Sequence, residues 1–318
     1  MINKFRQTKE VLLNLDSLPI YIAGHIKPDQ DSIGSCMALA EFLRTQGKEV
    51  YVLLEESDRD ILAWQNDYEG VVCDVKHDEY NFIALDLNEK KRLGRYVQNF
   101  DNAKFKINID HHQDNKYEAD HTLSIPGISS TCEIIFSILN TEGKSVFSKK
   151  ICEYLYAGIM NDTNCFSRRL SSKTLAITQK IINFGIDYVR IIKKTFSERT
   201  LYEFKALAKL VNEMQYDEFH YVVVDKNQEV FAKLTHNQIV KKIAEDLRQI
   251  EGIDVFLVLI KNGDTIVAKC MSNTSEIADK LAGVFGGGGH KKEAGFTVQN
   301  MTIEDIVSKA KEFLNKLK

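Results

Sequence analysis

Ile20-Tyr21-Ile22-Ala23-Gly24-His25-Ile26-Lys27-Pro28-Asp29-Gln30-Asp31-Ser32 begins as a short apolar run and breaks into a polar turn. Beyond it, Ile33, Met37, Ala40 and Leu43 recur at three- and four-residue spacing, which predicts a helix from Ser32 to about Gln46 with one apolar face. A strand followed at once by a helix is the opening of a βαβ unit, so this stretch sets an α/β fold. It also puts His25, Asp29 and Asp31 at the carboxyl end of a strand, where open α/β sheets bind their ligands. Taken alone, the segment has an equally good plain explanation, in which Asp31 or Ser32 caps the helix and His25 is a surface turn residue.

The same rhythm continues from Pro19 to about Gly185. Strands are expected at Ile20 to Ala23, Val50 to Leu54, Phe82 to Leu87 and Phe105 to Ile109, and helices at Ser130 to Leu139 and Lys149 to Met160. Strands alternating with helices imply a mainly parallel sheet over residues 1–186. Residues 187–214 are charged and helical in pattern and read as a connector. Residues 215–318 then form a second, smaller α/β domain. Its strands fall at Tyr221 to Val224, Val255 to Ile260 and Ile266 to Cys270, and its helices around Asn237 to Gln249 and Glu276 to Val284. A closing amphipathic helix carries Ile303, Ile306, Val307, Ala310, Phe313, Leu314 and Leu317 on one face.

Composition narrows the function. At 318 residues the chain can form two domains that each bury a core. The longest apolar runs are of strand length, well short of the roughly 18 residues that span a bilayer, and the N-terminus lacks the apolar stretch of a secretory signal. No membrane partner is expected, and the protein reads as soluble and cytoplasmic. The six cysteines are scattered without a C-x-x-C pair, as suits reduced, mostly buried thiols. A net charge of -3 argues against long duplex DNA, whose binding rests on a broad basic surface. A small nucleotide or a short RNA fits better, and the oligomeric state is left open, a homodimer included.

Acid and imidazole groups reappear at later strand ends. Asp86 sits near the carboxyl end of the strand Phe82 to Leu87, inside an otherwise apolar run where an unpaired carboxylate is expensive to bury. Asp110-His111-His112 follows the next strand, and Asp162 follows the helix that begins at Lys149. Each has its own innocent reading as a turn or cap, but helix caps rarely use His, and one sheet edge would gather the whole set. Carboxylates with imidazoles and no thiolates suit Mn²⁺ or Mg²⁺. That many ligands suggests two ions, and paired ions serve the hydrolysis of phosphate esters. In the second domain, Gly286-Gly287-Gly288-Gly289-His290-Lys291 lets backbone N–H groups approach an anion, with His290 and Lys291 as further donors. The run matches neither the P-loop nor the dinucleotide-binding fingerprint, which weakens ATP and NAD readings.

With those residues in hand, the chain resembles the DHH phosphoesterase superfamily, named for the motif present here as Asp110-His111-His112. His25-x-x-x-Asp29-x-Asp31-Ser32, Asp86 and Gly158-Ile159-x-x-Asp162-Thr163 match its other motifs, and Gly-Gly-Gly-Gly-His resembles the signature of the DHH-associated C-terminal domain. The resemblance implies one Mn²⁺ held by His25, Asp29 and Asp86, and a second held by Asp31, Asp86, His111 and Asp162, with Asp86 bridging. It implies that Asp110 orients a ligand and that His112 faces the substrate phosphate. It also implies that the glycine segment, His290 and Ser272 close over substrate across an interdomain cleft. Within the superfamily the likeness is greatest to the bifunctional nanoRNases, which degrade very short RNA and dephosphorylate 3'-phosphoadenosine 5'-phosphate. Many relatives carry an Arg-Ser pair where this chain has Met271-Ser272, so a phosphate contact is lost or moved; Lys269 or Lys291 offers a point charge but no bidentate fork.

Cyclic di-AMP or its linear dinucleotide is the alternative substrate, because the same metal site serves both. A RecJ-type exonuclease fits less well, since no added strand-binding module is visible, and a family II pyrophosphatase is not expected to carry the glycine-histidine segment. From another class, a nucleotide sensor without turnover would not need the full ligand set.

Overall fold

Strands that are apolar throughout, without alternation, belong in a parallel sheet covered on both faces. In the computed structural model, which describes residues 1–113, 115, 118–142, 146–216, 219–235 and 238–317, the chain forms two compact units, Met1–Ser197 and Glu198–Lys318. The division falls within the charged helical stretch read as a connector.

The first unit contains β1 (Ile20–Ala23), β2 (Val50–Leu53), β3 (Val71–Val72), β4 (Asn81–Leu85), β5 (Lys106–Asp110) and β6 (His121–Ser124). They pair in the order β3-β2-β1-β4-β5-β6, every neighbour parallel. Its helices are α1 (Ile2–Leu13), α2 (Gln30–Thr45), α3 (Val97–Asn102), α4 (Thr131–Leu139), α5 (Lys149–Asp162), α6 (Ser172–Ile182) and α7 (Tyr188–Ile192). Alternate β1 side chains enter opposite layers: Ile20 and Ile22 pack with Ile33, Met37 and Leu43 of α2, while Tyr21 and Ala23 pack with Phe82, Leu93 and Phe100. Each such large apolar side chain contributes roughly 1.5–3 kcal/mol relative to exposure. Between β1 and β4 the strand order changes direction, and at such a switch point the strand ends leave a crevice.

Several boundaries differ from expectation, and the differences gather at this edge. The α2 helix begins at Gln30 instead of Ser32, and its cap is Asp29, whose carboxylate accepts the N–H groups of Asp31 and Ser32. The β4 strand ends at Leu85, so Asp86 lies just beyond it with a left-handed φ of 63°. The α5 helix runs past Met160 to Asp162. Several elements of the first unit escaped the sequence reading, among them α3, α6, the two edge strands and α1. The edge strands β3 and β6 are too short or too polar to make an apolar run. The α1 helix buries polar side chains: Thr8 shares a hydrogen bond with His121 Nε2 (2.9 Å), and Lys9 donates to Leu139 O (3.3 Å).

The second unit has α8 (Leu201–Asn212), β7 (Gln215–Tyr216), β8 (His220–Asp225), α9 (Glu229–Ala232), α10 (Ala244–Arg248), β9 (Val255–Asn262), β10 (Thr265–Ser272), α11 (Ala278–Gly283), β11 (Gly288–His290), β12 (Glu293–Gln299) and α12 (Ile303–Asn315). Its sheet runs β11-β12-β10-β9-β8-β7, with β8 and β9 parallel and the other pairs antiparallel. The helix expected from Asn237 starts outside the described residues; its described part is a π-helical turn, Gln238–Ile243, followed by α10. The glycine run needs a correction. It is not all loop, because Gly288 to His290 form the edge strand β11 against β12. Among the described residues no helix is long and apolar enough to cross a membrane.

Candidate metal centre

Parallel pairing brings the carboxyl ends of β1, β4 and β5 to one edge, and the polar residues that follow them meet there. His25 Nε2 lies 3.6 Å from Asp86 Oδ2, and His111 Nε2 lies 3.5 Å from Asp86 Oδ1 and 3.3 Å from Asp162 Oδ2. Ligand atoms converge in three overlapping groups: His25, Asp29 and Asp86; Asp31, His111 and Asp162; and Asp86, His111 and His112. The structure thus brings together every metal-ligand candidate named from the sequence, with Asp86 shared between two groups. Asp110 is fully buried and accepts from His112 Nδ1 at 2.6 Å, as befits a residue that orients a neighbour.

Groups that the sequence did not reveal hold this arrangement. The first N–H groups of α4, on Thr131 and Cys132, donate to Asp31 Oδ2 (2.7 Å) and Oδ1 (2.9 Å), the usual welcome of a helix N-terminus for an anion. Each carboxylate oxygen keeps a second lone pair for a cation. Thr131 Oγ1 donates to Asp86 Oδ1 at 3.0 Å. His111 Nδ1 is 3.1 Å from Ile128 O, which leaves Nε2 as the nitrogen available to a metal ion, and His25 Nδ1 is likewise 2.9 Å from Ile26 O. Asn115 bridges Asn108 and Asp110.

The electrostatics ask for a cation. Burial, then the charges of Asp86 and Asp162, raises Asp31 well above the ordinary carboxylate range, and burial followed by Asp29 pushes Asp162 up to about 7. Burial lowers His25, keeping it in the neutral form that ligates. His111 would be lowered by burial, but Asp86 and Asp162 override it and push it up to about 10. The donor set, hard carboxylate oxygens with imidazole nitrogens, fits a divalent ion of the Mn²⁺ or Mg²⁺ type.

Close helix packing sets the floor of the centre. Gly158 brings α5 against Asp31, and a Cβ there would lie 2.2 Å from Cys132 Sγ and 2.9 Å from Asp31 Oδ1. Gly158→Ala is therefore expected to cost about 1–3 kcal/mol in thermal unfolding and to weaken Mn²⁺ binding roughly tenfold or more in calorimetry by displacing Asp31. Unchanged Mn²⁺ affinity would count against Asp31 as a metal-ligand candidate.

In the second unit the glycine segment and its flanks are surface-exposed, including Gly286, Gly288, Gly289, His290 and Lys291. Gly287 approaches β12 so closely that a Cβ would meet Gly295 O at 2.2 Å. Ser272, read as a substrate contact, is fully buried; its hydroxyl pairs with Ser275 Oγ (2.8 Å) and accepts the Ile277 N–H (3.3 Å), bonds that shape the turn. Met271 is core, and Lys269 is buried with its ammonium 2.8 Å from Glu293. Of the two lysines considered as substitutes for the missing arginine, Lys291 is the exposed one.

The turn after β10 hangs on Asp254, whose Oδ1 accepts the N–H groups of Asn273 (3.0 Å), Thr274 (2.6 Å) and Ser275 (3.2 Å). Partial burial would raise this carboxyl, but the donors on Thr274 and Ser275 prevail and hold it down at about 2. A depressed folded-state value gives stability that is present above the ordinary carboxylate pKa of about 4 and is lost as pH falls toward 2. Asp254→Asn should therefore flatten the acid limb of the stability curve in denaturant titrations at successive pH values. An unaltered limb would show that this turn does not depend on the charge.

Known proteins share both halves of this architecture. Residues 19–159 match the DHH family N-terminal domain, and residues 219–316 match the DHHA1 domain. The bifunctional oligoribonuclease and PAP phosphatase NrnA of Thermus thermophilus is 25% identical over 316 residues, covering 97% of this chain and 93% of its own. The cyclic-di-AMP phosphodiesterase GdpP of Geobacillus thermodenitrificans is 24% identical over 326 residues, covering 94% of this chain but 48% of its own. In fold, an exopolyphosphatase-related protein from Bacteroides fragilis superposes with a TM-score of 0.87 at 21% identity, covering 99% of this chain and 96% of that one. The chain belongs to the DHH phosphoesterase family, as a DHH domain followed by a DHHA1 domain.

Proposed function

We propose that this protein hydrolyses short oligoribonucleotides and 3'-phosphoadenosine 5'-phosphate with two Mn²⁺ ions at the DHH centre. The observation that carries the reading is the convergence of His25, Asp29, Asp31, Asp86, His111 and Asp162 in groups linked through Asp86 and His111. His25, Asp29 and Asp86 would hold one ion; Asp31, Asp86, His111 and Asp162 would hold the other. When bound, such a pair polarises phosphoryl oxygens and makes water nucleophilic at neutral pH.

The chain's own residues do the rest. Asp110 accepts a hydrogen bond from His112 Nδ1, which fixes the ring's orientation and turns Nε2 toward the place of the substrate phosphate in this reading. Thr131 and the α4 N-terminus keep Asp86 and Asp31 from turning away. In the DHHA1 domain the glycine strand with His290 and Lys291 offers backbone and side-chain donors to a second phosphate or to the base end of a nucleotide. The size of the likeness to the Thermus enzyme, which extends over nearly the full length of both chains, supports this substrate class.

A second reading has its own support, because a cyclic-di-AMP phosphodiesterase is 24% identical over 94% of this chain, though the match spans 48% of that protein. Product release from 3'-phosphoadenosine 5'-phosphate, a two-nucleotide RNA, cyclic di-AMP and its linear dinucleotide, each with and without Mn²⁺, separates the two. Turnover of the first pair is expected. Preference for the second pair would make the protein a signalling phosphodiesterase, and tight binding without turnover would make it a sensor.

A further inference from the structure

Backbone strain in this chain is not spread evenly. Of the nine non-glycine residues with positive φ among those described, Lys27, Asp86, Asn164, Cys165, Phe166 and Arg169 all lie in the segments that bear the metal-ligand candidates. Four of them fall within the six residues after Thr163, at φ values of 45°, 51°, 69° and 52°. Asn tolerates this region; Cys, Phe and Arg adopt it at a cost, and such costs persist where the surroundings enforce them and function uses them.

The enforcement is visible. After α5 ends at Asp162, Cys165 N–H donates to Met160 O (2.9 Å) and Arg168 N–H to Thr163 O (2.9 Å). Phe166 N–H donates to Thr163 Oγ1 (3.2 Å), and that hydroxyl itself donates to Ile159 O (2.7 Å). The turn coils back on the helix instead of leaving it. Its product is Arg169, whose Nη1 lies 3.8 Å from Asp162 Oδ2 with the side chain about half exposed, at 52%.

A relaxed chain could neutralise Asp162 more cheaply, by placing a lysine on the next helical turn or by closing a bidentate pair. The pair here is single and long, and among the described residues Asp162 is its only ion-pair partner. A guanidinium in that state keeps most of its donor fork available beside the carboxylate centre. Its planar fork matches two non-bridging oxygens of a phosphoryl group, and charge that grows on those oxygens during displacement makes the contact stronger in the transition state. We infer that Arg169 is a phosphate-binding residue of the DHH domain, delivered to the rim of the metal centre by the left-handed turn at Asn164, Cys165 and Phe166. The inference rests on the phosphoesterase reading and adds a residue and a role that none of the motifs contains.

The test uses the full chain loaded with Mn²⁺ and the variants Arg169→Ala and Arg169→Lys. Calorimetry with inorganic phosphate is the first readout. The alanine variant should bind phosphate roughly tenfold or more weakly, with Mn²⁺ affinity and melting temperature close to wild type. Its kcat on the best substrate of the panel should fall about 10²- to 10³-fold, and added guanidinium ion should restore part of the loss. The lysine variant should recover phosphate binding better than turnover, because a point charge lacks the fork. Unchanged phosphate affinity in Arg169→Ala, or a loss that merely follows lost Mn²⁺, would overturn the assignment. Should wild type turn over none of the panel, the proposed function fails, and the phosphate titration still decides Arg169; a wild type that binds no phosphate refutes it.

Discussion

Asp86→Asn should abolish turnover, by about 10⁴-fold or more, while the metal-free protein melts at or above the wild-type temperature. Both halves follow from one geometry. Asp86 lies within reach of His25 on one side and His111 on the other, so its loss takes a donor from both candidate ion sites at once. The same carboxylate is a source of repulsion for Asp31 and Asp162 when no cation is bound. Asparagine keeps the accepting oxygen for Thr131 and is among the residues that best tolerate a φ of 63°. The change therefore removes charge and leaves the backbone in place. Steady-state assays with a parallel thermal melt check it. A variant that keeps near-wild-type turnover would end the bridging role, and one that fails to fold would show that the carboxylate is structural.

The second large effect is that of the metal on stability. A centre that gathers four aspartates with three histidines is a liability until cations occupy it. Any ion that binds the folded chain alone stabilises it by about 2.7 kcal/mol at one hundred times its Kd. Two such sites make the increment correspondingly larger, several degrees in melting temperature for the first unit. Differential scanning calorimetry should show the first unit moving up with Mn²⁺ and back down with chelator. The second unit, which contributes none of these ligands, should hold its transition. A Mn²⁺ response confined to the second unit would place the binding elsewhere.

Much of this site was legible because of a property of parallel sheets. Each strand ends at the same edge, so His25, Asp86 and Asp110-His111-His112, scattered along the sequence, share a location as soon as their strands are recognised. The departures are informative in the same terms. Asp29 was read as a ligand candidate and is also the α2 cap, two roles that one carboxylate fills with different oxygens or lone pairs. Asp86 lay one residue off the strand because a left-handed kink re-aims its side chain, and nothing in an apolar run signals that kink.

Thr131, Ile128 O, Asn108 and Asn115 were invisible. Their contacts follow no period: Thr131 meets Asp31 across 100 residues and Asp86 across 45. Ser272 had a local role that the sequence did not show. Its position beside Met271 invited a ligand role, and in the structure its hydroxyl bonds within the turn after β10. Glycines that suggested a loop pair as an edge strand because β12 offers an unsatisfied ladder, and absence of a Cβ is what lets Gly287 come within reach of Gly295.

The most direct test of the central claim is a Mn²⁺ titration of the chelator-treated protein that follows product release and bound metal together. The account predicts no turnover without metal and activity that rises to a plateau at two ions per chain. Turnover that survives chelation, or a protein that binds two Mn²⁺ ions and hydrolyses none of the four nucleotides, would contradict it.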